Sequence, residues 1–159
     1  MRLFWISLFA GAALFARSDQ PTLTLDGISL GDRQQHVVSV LRKTAQMQRE
    51  EEGQLVWKLN SDSSVAFLLI GYDKDRLVRY ITELAHQGGS LPCKPLTDSP
   101  HKTGTAGNYI FTRDYKSQDS EMLAVAHGSD ASHLSSCSIK RVGATGEEEE
   151  EREARHKKR

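Results

Sequence analysis

Charge of one sign is what this chain has least of: 21 Lys and Arg face 21 Asp and Glu across 159 residues. That balance leaves no clustered basic footprint for a nucleic acid, so this class of partner is excluded. Long hydrophobic runs are almost as scarce. The longest, residues 3–16, would reach roughly 21 Å as a helix at about 1.5 Å per residue, against a hydrocarbon core of about 30 Å. Stable membrane insertion is not expected. Cysteine occurs twice, at Cys93 and Cys137, with no spacing to His or Cys that suits zinc.

Catalytic signatures are missing too. Six histidines are present, His36, His86, His101, His127, His133 and His156, yet none forms an i, i+4 pair on a helix. No nucleophile elbow surrounds a serine. The Gly-rich stretch 103–108 lacks the lysine and the following helix of a phosphate loop. Asp73 and Asp75 alternate with Lys74 and Arg76, which is turn chemistry rather than a calcium loop. No internal repeat is visible. The sequence therefore predicts no catalytic residue, no metal and no cofactor.

What is present begins at the N-terminus. Arg2 precedes the apolar run, small residues close it at Ala13 and Ala16, and the polar linker 17–22 follows. That layout is a secretory signal over residues 1–16, cut after Ala16 or Ala13. No cysteine follows the cut to accept a lipid, so the expected location is periplasmic or secreted, not lipoprotein. Without Arg2, twenty basic residues face 21 acidic ones and the mature net charge is −1. In an exported chain Cys93 and Cys137 are either bridged or two buried free thiols, and export favours the bridge. At the other end, residues 143–159 hold Glu147 to Glu151 and then mixed charge, which reads as a solvated, disordered tail.

Between these ends, residues 23–142 read as one α+β domain, one main helix packed on an antiparallel sheet of about five to seven strands. Asp32 and Gln35 form a variant capping box for a helix over residues 33–46, with Val37, Val40 and Leu41 as its apolar stripe. Residues 48–53 are too polar to be buried and read as its frayed end. Strands follow at 55–60, 64–72 and 77–84, the last two joined by a hairpin loop at 73–76. Residues 86–108 lack periodicity and read as a long Gly/Pro connection, the kind that is functional, pinned by Cys93 or mobile. Further strands are expected at 109–115, 121–127 and 136–142, with a loop or helical turn at 129–135. Cys137 and Ile139 share a face of the last strand, which turns Cys137 inward toward the loop of Cys93.

One set of residues carries a resemblance. Ile28-Ser29-Leu30-Gly31-Asp32, a helix with Val38 and Leu41, the Trp-bearing Leu55-Val56-Trp57, then Val65-Ala66-Phe67 and Leu77-Val78 resemble the SmpA/OmlA-like domain over about residues 25–84. That superfamily consists of small bacterial envelope proteins, related in fold to the beta-lactamase inhibitor protein. Three departures set the chain apart from the outer-membrane assembly branch: Asp32 where Met is common, Leu41-Arg42-Lys43 where the helix ends in Leu-Gly, and no lipoprotein cysteine.

Two functions follow as expectations. The first is a non-catalytic exported module or scaffold that binds another envelope or secreted protein through the open face of its sheet and the Gly/Pro loop. Its candidate contact residues are Trp57, if exposed, with His101 and Tyr109. The second is a small exported enzyme or metal-binding protein using His101, His127 or His133, which requires those side chains to converge.

Overall fold

The computed structural model describes residues 23–142, apart from positions 52, 62, 99 and 117–119. The expected signal at 1–16, the linker and the tail with His156 lie outside the described residues. The chain opens with a two-stranded hairpin, β1 (Thr24–Leu25) and β2 (Ile28–Ser29), turning at Asp26 and Gly27 with φ of 48° and 75°. Helix α1 (Gln34–Leu41) follows. The rest is strand: β3 (Ala45–Glu51), β4 (Gln54–Leu59), β5 (Val65–Tyr72) and β6 (Val78–Ala85), then β7 (His101–Thr105), β8 (Asn108–Lys116), β9 (Glu121–Asp130) and β10 (His133–Val142). A single 3-10 turn, Lys94–Leu96, lies between β6 and β7.

These eight strands form one antiparallel sheet in the order β3-β4-β5-β6-β10-β9-β8-β7. Two four-stranded meanders meet through their last strands, β6 and β10. The expected α+β fold with a main helix on five to seven strands is thereby corrected. Among the described residues the fold is mostly β, an eight-stranded sheet plus a two-stranded one, with a single short helix.

Three local differences account for the correction. The helix stops at Leu41 rather than at 46, because Val37 and Leu41 complete the apolar stripe that the core accepts. Past Arg42 the backbone gains more from pairing with β4, so the polar residues 46–51 become an edge strand with exposed side chains. Burial is not needed there, since an edge strand satisfies its ladder on one side and water on the other. Asp32 does not cap the helix. Its Oδ2 accepts from the Ser29 amide at 2.8 Å, and its carbonyl accepts from the Val78 amide at 2.8 Å, tying the hairpin to β6. Finally, the Gly/Pro connection is less irregular than expected, since β7 occupies 101–105 and pairs with β8.

Other expectations agree with the structure. β5 and β6 form the predicted hairpin, closed by the Asp73 carboxylate, which accepts from the Asp75 and Leu77 amides at 2.9 Å. Cys137 faces inward and is bridged to Cys93, with 5.5 Å between their Cα atoms.

The register divides the sheet into two faces. One row of direct partners crosses all eight strands: Met47, Trp57, Leu68, Glu83, Cys137, Ala126, Phe111 and Lys102. Apart from the edge residues Met47 and Lys102, every member is buried. The β1–β2 hairpin, α1 and the 90–97 segment contribute Leu25, Ile28, Val37, Leu41, Leu91 and Leu96 to the same core. All caps therefore sit on one face. Bulges near Gln48, Ala66, Arg79 and Ser135 reset the alternation and increase the local twist.

Candidate functional site

The other face is built from the residues between the buried ones. Its central row runs Val56, Leu69, Thr82, Ser138, Val125, Thr112 and His101. The adjacent row runs Lys58, Phe67, Leu84, Ser136, His127, Ile110 and Thr103. Neither row contributes to the buried core, and Phe67 keeps 36% of its surface exposed.

Apolar and polar residues are segregated along these rows. Val56, Phe67, Leu69 and Leu84 form one patch on β4–β6, and Ile110, Leu123 and Val125 form another on β8–β9. Between them runs a polar seam on β10, where Ser138 Oγ and Thr82 Oγ1 lie 2.9 Å apart. At one end Tyr80 lies flat over Gly71. A Cβ at position 71 would fall 1.9 Å from Tyr80 Cε1, so the platform requires glycine. The Tyr80 hydroxyl donates to Gln54 Oε1, which holds the ring down.

The predicted contact residues are distributed over different places. Trp57 is 1% exposed and belongs to the core, with its Nε1 buried and without an acceptor. It is no surface anchor. His101 is exposed on β7, on the open face. Tyr109 is half-buried on the capped side, where Lys102 Nζ sits 3.6 Å from its ring centre.

The histidines do not converge. His127 shares the open face with His101 but stands two strands away, roughly 10 Å at about 4.8 Å per strand. His133 lies at the β9–β10 turn, its Nδ1 2.8 Å from Asp130 Oδ2. Among the described residues no group of three His, Cys, Asp or Glu side chains is arranged to hold a metal.

Sequence reasoning did not find two features of the capped side. The first is a groove of about 490 Å³ between the 90–100 segment, Phe111 and Leu134, floored by apolar side chains and by Cys93. The segment is stitched in place, because the Leu91 amide donates to the Leu134 carbonyl at 2.9 Å and Ser90 Oγ donates to the Ser132 carbonyl at 2.7 Å. The second is Glu83, 4% exposed in the central buried row. Burial, with a smaller push from the Asp26 charge and an opposing pull from Lys94, raises its carboxyl from the ordinary 4.5 to about 7. Only the inward parity of Ile81 and Glu83 on β6 signalled this in the sequence. A second, 340 Å³ hollow lies between α1 and the β4–β5 loop.

No family model, curated protein or solved structure matches this chain.

Proposed function

We propose that this chain is a non-catalytic exported module that binds another envelope or secreted protein through the open face of its sheet. The observation that supports the reading is the placement of Val56, Phe67, Leu69, Leu84, Ile110 and Val125 on a face that no described cap covers. Phe67 is exposed and the others are half-buried, and apolar patches left uncovered in this way mark interaction sites in soluble proteins. The Cys93–Cys137 bridge is compatible with an oxidising compartment, and no described helix is long and apolar enough to cross a membrane. Relation to the SmpA/OmlA-like envelope proteins is part of the same proposal, carried by the residues 25–84 pattern.

The test uses the mature chain as bait in an envelope extract, beside two variants. Phe67→Asp with Val125→Asp places charge in both apolar patches, whereas Lys43→Asp changes only the exposed turn between α1 and β3, away from the open face. A captured protein retained by Lys43→Asp and lost by the double variant is expected. Identical capture by all three chains overturns the reading.

A further inference from the structure

The Cys93–Cys137 disulfide has two unlike ends. Cys137 is 0% exposed in the middle of the sheet, whereas Cys93 is 7% exposed and lines the 490 Å³ groove. Thiol–disulfide exchange depends on which sulfur a thiolate can reach and on how well the other sulfur leaves. Of the two cysteines only Cys93 lines the groove, so its sulfur is the one presented to an entering thiolate. The leaving sulfur would be that of Cys137, stranded as an anion among Ile139, Ala126 and Leu134. An unpaired charge in such surroundings is costly.

One acidic side chain can remove that charge. Glu83 stands directly across the β6–β10 ladder from Cys137, on the same face, where directly opposed Cβ atoms are about 4.5–5.5 Å apart. Each element packed around Glu83 presents an identifiable group: Leu68 from β5, Cys137 from β10, Asp26 from the β1–β2 turn and Lys94 from the 3-10 turn.

We propose that Cys93–Cys137 is a thiol–disulfide exchange site, in which a thiolate entering the groove attacks Cys93 Sγ and the Glu83 carboxyl protonates the departing Cys137 Sγ. The incoming sulfur forms a new S–S bond to Cys93 as the Cys93–Cys137 bond breaks. The electron pair of the broken bond goes to Cys137 Sγ, which takes the Glu83 proton and becomes a thiol, leaving a Glu83 carboxylate. With a dithiol as co-reactant, its second thiolate attacks its own sulfur in the mixed disulfide and expels Cys93 into the groove, where water protonates it. The protein bridge is then reduced and the dithiol oxidised by two electrons. Glu83 suits the task because burial keeps its proton on up to about pH 7. Exchange would release the 90–97 segment from its covalent tie to β10.

Glutathione, a monothiol, is the probe, applied to the folded full chain at pH 6 and pH 8 without denaturant, with the adduct mapped by mass spectrometry. The expected adduct is on Cys93 with Cys137 free, formed at a rate that sub-denaturing urea leaves unchanged. Glu83→Gln, which keeps the shape and removes the acid, slows exchange at pH 6 by about tenfold or more and by less at pH 8. Glu83→Asp, a shorter acid, restores part of the pH 6 rate. An adduct on Cys137 overturns the proposal. So does a rate that climbs with urea in step with unfolding, or equal pH 6 rates for the wild type and Glu83→Gln.

Discussion

At the scale of single residues, Glu83 couples stability to pH. Its folded-state value lies above the ordinary one, so the folded chain holds the proton more tightly than the unfolded chain. The stabilisation is complete below about pH 4.5 and is lost as pH rises to about 7. A shift of this size corresponds to on the order of 3 kcal/mol. Glu83→Gln is therefore expected to match the wild type at pH 4.5 and to exceed it in melting temperature at pH 8, as read by thermal unfolding across the range. A constant difference at both pH values contradicts the argument. Gly71 is the other residue whose neighbours fix its identity. Gly71→Val pushes the Tyr80 ring off its platform and breaks its bond to Gln54. A loss of about 1–3 kcal/mol is expected in urea unfolding, as for other overpacking changes.

At the scale of elements, the two meanders are capped in different ways. The first carries a hairpin and an eight-residue helix, and the second carries one 3-10 turn with a covalent bridge. So short a turn buries little, and the disulfide offsets that deficit. Closing the 44-residue separation stabilises the fold by roughly 4 kcal/mol on the chain-entropy model. Replacing both cysteines with serine is expected to lower the melting temperature by on the order of 15 °C. Amide exchange should quicken first in residues 90–97, whereas uniform quickening over the whole sheet would refute a local cap.

The elements also show where the sequence was readable. The β5–β6 hairpin was legible because its Asp73 turn and its apolar runs specify the same geometry. β3 was not, because residues 46–51 hold no apolar alternation. What makes them a strand is the free ladder of β4, a partner that local pattern does not reveal. β7 escaped for the same reason, all five of its side chains being exposed. The bridge was legible from the inward parity of Cys137, together with the expectation of export. The open face was anticipated as a surface, but its two patches depend on register across non-adjacent segments, such as β6 against β10. Trp57 illustrates the limit: its alternation with Leu55 and Leu59 placed it on an apolar face, and only the caps decided that this face is buried.

At the scale of the whole molecule, one core runs beneath both meanders, from Trp57 through Leu68, Cys137 and Ala126 to Phe111. The halves share it across the β6–β10 ladder, so they are expected to unfold together. Fluorescence of Trp57 in the first half and circular dichroism of the sheet should give coincident urea transitions. Separate midpoints would show that the ladder does not couple the halves. No repeat is visible in the sequence, although both halves share the order of an antiparallel meander. Different caps impose different side-chain demands on the same backbone path.

The two borders of the sheet differ, and this limits how chains can join. β3 carries Arg49, Glu50 and Glu51, with Arg49 and Glu51 ion-paired and a bulge beside them, features that discourage strand addition. β7 has only Lys102, and its ammonium is drawn back over Tyr109. Growth of a fibre needs two receptive borders per subunit, one to attach and one to be attached to. Among the described residues only one border is receptive, so backbone pairing between copies through it would end at two chains.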